Sequence, residues 1–108
     1  SVVADEPYTV WVDGPASGFA LLGFDRLLPA PAPTPLGELW LDPFRYTPVA
    51  ILALAAGTGQ GSWSSTCPAS APVDIPFVFQ SLTLAPDGTL AATLPSPFTV
   101  GWEYYRIP

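Results

Sequence analysis

The chain has 108 residues, of which 49% are hydrophobic and only 11% charged, and it carries a net charge of −6. Its only cations besides the N-terminus are Arg26, Arg45 and Arg106, too few and too scattered for a nucleic-acid stripe or an anionic membrane surface. Histidine and lysine, the usual general bases near neutral pH, are absent, and the one cysteine, Cys67, rules out an internal disulfide.

In chain order, the stretch 1–12 carries strand formers at Val2, Val3, Tyr8, Val10, Trp11 and Val12 and reads as an N-terminal arm ahead of a single domain over 13–108. Within it "YTVWVD" (Tyr8–Asp13) predicts a strand that Gly14 and Pro15 end, and "GFALLGF" (Gly18–Phe24) predicts the next. The run "PAPAPTP" (Pro29–Pro35) follows. A proline has no N–H to donate and holds its predecessor extended, so this run predicts a stiff crossover between two sheets and not a central strand. It does not read as a linker, because two domains of about fifty residues, with no disulfide or metal, would be marginal.

"LGELWLD" (Leu36–Asp42) alternates and stops at Pro43, and "TPVAILALA" (Thr47–Ala55) is a strand apolar on both faces. "GTGQG" (Gly57–Gly61) is a turn. It lacks the lysine and the following helix that a phosphate loop needs. "SWSST" (Ser62–Thr66) is a short polar strand. "IPFVFQSLTLA" (Ile75–Ala85), rich in β-branched and aromatic residues, is the strongest strand of the chain. Pro86, Asp87 and Gly88 then turn it into "TLAATL" (Thr89–Leu94), a hairpin with Leu82, Leu84, Leu90 and Leu94 on a shared face. "FTVGWEYY" (Phe98–Tyr105) closes the pattern.

Fifteen prolines leave no window for a helix, each costing about 3 kcal/mol in a helix interior. The fold class expected is all-β: a two-sheet antiparallel β-sandwich, jelly-roll or Ig-like, of about seven to nine strands. The longest aliphatic run, Val49–Ala56, is far short of the roughly twenty residues that span a membrane as a helix.

"GELWLDP", with Gly37, Leu39, Leu41, Asp42 and Pro43, and "IPFVFQSLTL", with Ile75, Pro76, Gln80, Leu82 and Leu84, resemble short uncharacterised all-β domains of secreted bacterial proteins of the planctomycete type. The likeness spans about Gly14 to Val100 and implies an exported β-sandwich, located outside the cell or on its surface. Extracellular fibre subunits can be built on such domains. The arm and the aromatic tail "GWEYYRIP" depart from that pattern.

Chemistry has few candidates. The carboxylates mostly stand beside proline or glycine at strand ends, where they shape turns, so no catalytic pair and no enzyme is expected. No Asp-x-Asp-x-Asp spacing marks a calcium loop, and no metal or cofactor is expected. Trp63, Trp102, Tyr104 and Tyr105 are candidates for an interface or for stacking on sugars. Thr34, Ser64, Ser65 and Thr66 are candidate O-glycosylation sites.

So little charge with so many apolar residues points to surface buried against other copies. The expected function is a structural subunit of an extracellular homopolymeric filament or surface assembly. Its head-to-tail copies would join by β-strand addition through the arm residues Val2, Val3, Tyr8, Val10, Trp11 and Val12. The alternative is a carbohydrate-binding accessory module with glycans as partners.

Overall fold

The computed structural model describes residues 2–42 and 44–101. These residues form strands and turns with no helix, so the chain is all-β. The strands are β1 (Val2–Val3), β2 (Pro7–Asp13), β3 (Phe19–Arg26), β4 (Ala32–Thr34), β5 (Gly37–Leu39), β6 (Thr47–Ala53), β7 (Gln60–Thr66), β8 (Phe77–Leu84), β9 (Leu90–Ala92), β10 (Ser96–Phe98) and β11 (Val100–Gly101). The described residues thus hold eleven strands in four sheets, where the sequence predicts two sheets and fewer strands. The excess consists of pieces two or three residues long. For β4, β5, β9 and β10 proline is the physical reason: Pro33, Pro35, Pro95 and Pro97 cannot donate to a ladder, so pairing near them is short.

The main sheet has five strands in the order β10-β8-β3-β6, with β9 also on β8. All its pairings are antiparallel. β9 and β10 share one edge of β8, opposite Leu82–Leu84 and Phe77–Phe79 respectively. Between them Thr93 holds the gap. Its Oγ1 accepts the Ser81 N–H at 3.0 Å, and its own N–H donates to the Ser81 carbonyl at 2.9 Å.

The antiparallel ribbon β2-β7 lies across one face of this sheet. Period two explains why: Tyr8, Val10 and Val12 turn inward while Pro7, Thr9, Trp11 and Asp13 face out. The inward residues and Trp63 pack on Ala20, Leu22, Phe24, Leu54 and Phe79 to form the main core. A smaller cluster of Ala4, Cys67 and Val100 closes the end of the molecule where β1 pairs with β11. That pairing is parallel, unlike the others.

The proline run does not cross between sheets. β3 and β6 are adjacent antiparallel strands of one sheet, and the described chain between them, 27–42 and 44–46, makes an excursion over the face opposite the ribbon. There β4 and β5 pair only with each other. The turn joining them is shaped by Thr34, whose Oγ1 donates to the Gly37 carbonyl at 2.6 Å and accepts the Leu36 N–H at 3.2 Å. This short hairpin, of three residues in each strand, tolerates Pro33 because its outer edge needs no partner.

The expected hairpin forms at Pro86–Gly88. Gly88 takes φ +89°, and Asp87 Oδ1 accepts the Thr89 N–H at 2.9 Å, which holds that carboxyl below the usual carboxylate range. Leu84 stands opposite Leu90, but Leu82 faces Ala92, and Leu94 lies beyond the strand and is exposed. Ile51, on the edge strand β6 and the face opposite the ribbon, stands 74% exposed.

Candidate functional site

The ribbon is narrower than the sheet it covers. Among the described residues β2 pairs only with β7, so its other edge is open, and alternate residues there direct N–H and C=O groups outward. Beside that edge runs a cleft. Val10, Trp11, Val12 and Asp13 form one wall, Thr93, Leu94 and Ser96 the other, and Leu22, Phe79 and Ser81 the floor. It holds about 200 Å³ and continues along Tyr8, Thr9 and Val10 past Phe98 as a further hollow of about 320 Å³. In the floor, the buried Ser81 Oγ has no hydrogen-bond partner among the described residues. A buried hydroxyl left unpaired costs about 1–3 kcal/mol, so the fold carries a polar group suited to an added partner.

The arm residues occupy two positions. Val2 and Val3 form β1 and pair with Val100 and Gly101 of the same chain. Tyr8, Val10, Trp11 and Val12 all belong to β2, opposite Ser65, Trp63, Ser62 and Gly61. The chain therefore sets Tyr8–Val12 as a wall of the cleft, and only Val2–Val3 sits outside the ribbon.

Trp63 faces inward. It meets Tyr8 edge-on with centroids 5.8 Å apart and packs on Phe79 at 6.1 Å, half-buried. Trp102, Tyr104 and Tyr105 lie outside the described residues. Among the described residues the tryptophan that stands in solvent is Trp11, 68% exposed on the outer face of the ribbon. Of the candidate glycosylation sites, Thr34 uses its hydroxyl in the turn, and Ser64 Oγ lies 2.8 Å from Thr9 Oγ1 across the ribbon. Ser65 is half-buried, and Thr66 is exposed at the end of β7.

No group of three acidic, cysteine or histidine side chains that could hold a metal lies among the described residues, and no helix there is long and apolar enough to cross a membrane. Ser81, Thr93 and Leu94, which belong to the cleft, are not among the site residues expected from the sequence. A signal was present in β8: Phe77, Phe79, Ser81 and Thr83 share one face, and two hydroxyl residues on an otherwise apolar inner face mark where cover is thin.

No family model, no curated protein and no solved structure matches this chain.

Proposed function

We propose that this chain is a structural subunit of an extracellular homopolymeric filament, its copies joined by β-strand addition. The observation that carries this reading is the open cleft along β2: an unpaired strand edge beside an apolar floor that contains an unpaired buried hydroxyl. An extended segment laid there would pair with the outward groups of β2 and place alternate side chains over Leu22 and Phe79. It would also complete the ribbon as the second layer of a two-sheet sandwich, the arrangement the sequence pattern implies.

In this reading the strand that moves is the short one. β1 is held by a two-residue parallel pair, whereas β2 is held by seven paired positions. Residues 1–6 are the donor, and Tyr8–Val12 belong to the accepting edge. The contact joins two different surfaces, so it propagates head to tail. The likeness to secreted bacterial domains supports an extracellular setting. The exposed Trp11 favours the second reading, a carbohydrate-binding module, because a solvent-facing indole beside a cleft can stack on a sugar ring.

Negative-stain microscopy separates the two. The full chain is expected to form filaments, and both a variant lacking residues 1–6 and Leu94→Arg are expected to lose them while keeping a β-type circular dichroism spectrum. Isolated particles at all concentrations, or filaments undiminished in both variants, overturn the assembly reading.

A further inference from the structure

A larger cavity, of about 490 Å³, opens at the end of the molecule occupied by Cys67. Five aromatic rings line it: Phe24 from β3, Phe77 and Phe79 from β8, Phe98 from β10 and Tyr8 from β2. Phe98 stacks on Phe79 with centroids 4.7 Å apart and 18° between planes, and on Phe77 at 5.7 Å and 23°. Pro68, Ala71 and Pro72 face these rings from the segment after β7. Among the described residues a single cation lines the space. Arg26, exposed at the end of β3, has no carboxylate partner within ion-pair distance among the described residues, in a chain of net charge −6.

We infer that this cavity binds a small planar aromatic anion, its rings among Phe24, Phe77, Phe79 and Phe98 and its carboxylate or sulfonate on Arg26. The volume lies within the range of about 300–1,000 Å³ that small-molecule sites occupy. Phenyl walls favour a flat ligand through offset and edge-on ring contacts. The guanidinium presents a planar fork of donors that matches a carboxylate. A sugar suits the space poorly: apart from Arg26, the lining side chains offer only the Ser70, Tyr8 and Cys67 polar groups, and most sugar hydroxyls would be buried unpaired. This site does not depend on assembly and is measured on dilute, unassembled protein.

The probe is anilinonaphthalene sulfonate, with its uncharged counterpart phenylnaphthylamine as comparator. Both fluoresce on entering an apolar site. The sulfonate is expected to bind and, at saturation, to slow alkylation of Cys67 by iodoacetamide. Arg26→Gln, a change at an exposed position, is expected to weaken the sulfonate about tenfold, the scale of one charge-assisted contact, and to leave phenylnaphthylamine unchanged. Ala71→Trp, which fills the cavity, is expected to reduce both. Ile51→Ser alters the exposed apolar face elsewhere on the main sheet and is expected to change neither. The proposal is overturned if Arg26→Gln leaves sulfonate binding as it was, if Ile51→Ser abolishes it, or if saturating probe gives Cys67 no protection.

Discussion

The side chain of Gln80 holds the main chain of Trp40: its Oε1 accepts the Trp40 N–H at 2.8 Å, forty residues away in sequence. The same amide donates through Nε2 to the carbonyl of Glu38 at 2.7 Å and to that of Thr93 at 2.8 Å. Gln80 is buried in the central strand β8, so one side chain ties the proline-rich excursion to the main sheet and to the crossing between β9 and β10. The excursion has few ladder bonds of its own, because its prolines supply no donors.

Gln80→Leu keeps the bulk and removes all three bonds. It strands one N–H and two carbonyls beside apolar groups, and is expected to cost about 3 kcal/mol in urea denaturation. Gln80→Glu retains an acceptor for Trp40 but turns a carboxylate toward two carbonyls. Its loss is expected to be larger at pH 7 than at pH 4, where a protonated carboxyl donates again. Equal losses at the two pH values would show that the carbonyl contacts carry little.

The contrast between Gln80 and the β8-β9 hairpin shows what the sequence made readable. The hairpin was legible because its determinants are adjacent: Pro86 sets φ, Asp87 caps the turn, and Gly88 takes a positive φ. The inward set Tyr8, Val10 and Val12 was legible from alternation alone. The path of residues 27–46 was not, because it depends on contacts between residues far apart, Gln80 with Trp40 and Gly23 with Tyr46. Local patterns carry no record of such pairs. The cleft was missed for a related reason: an uncovered floor is a property of two layers of unequal width, and each strand by itself reads as half-buried.

Gly23 is the second point at which the excursion is docked. A Cβ there would stand 2.5 Å from Tyr46 Cδ2 and 2.9 Å from Cε2, so the ring lies directly on the backbone of β3. Gly23→Ala is expected to cost about 1–3 kcal/mol through this overlap. The ring is what the new methyl group meets, so Tyr46→Ala in the same chain is expected to recover part of the loss. A double-mutant cycle measures the coupling, and strict additivity would mean that the ring does not rest on Gly23.

Phe19, Leu84 and Leu90 form one row across the main sheet, on the face opposite the ribbon, and Ile51 on the neighbouring strand shares that face. All four are exposed. Replacing Ile51 and Leu90 together with threonine keeps strand propensity at Ile51 and removes apolar surface from water. Solubility is expected to rise, with the urea midpoint shifted by the equivalent of no more than about 0.5 kcal/mol per site. A large drop in the midpoint would show that this face is packed in the folded chain.

Burial pushes the Cys67 thiol above its ordinary value, opposed in part by a hydrogen bond from the Asp5 main chain. Burial is also the first cause raising the Tyr8 phenol, followed by repulsion from ionised Cys67, with a hydrogen bond to Ser65 acting the other way. Both groups are neutral when protonated, and the fold favours that form. Each therefore contributes stability that is fully present below its unfolded value and is lost as pH rises through its higher folded value. The two are coupled, because ionising Cys67 makes ionising Tyr8 harder. The chain is expected to keep its stability through neutral pH and to lose it progressively on the alkaline side, first in the cluster of Ala4, Cys67 and Val100. Cys67→Ala removes one of the two groups and is expected to flatten the alkaline fall, at some cost in neutral-pH stability from lost packing. Tyr8→Phe removes the other and flattens it further. Thermal melts of the three proteins between neutral and strongly alkaline pH read this directly. If all three fall in parallel, the alkaline loss arises elsewhere than in this buried pair.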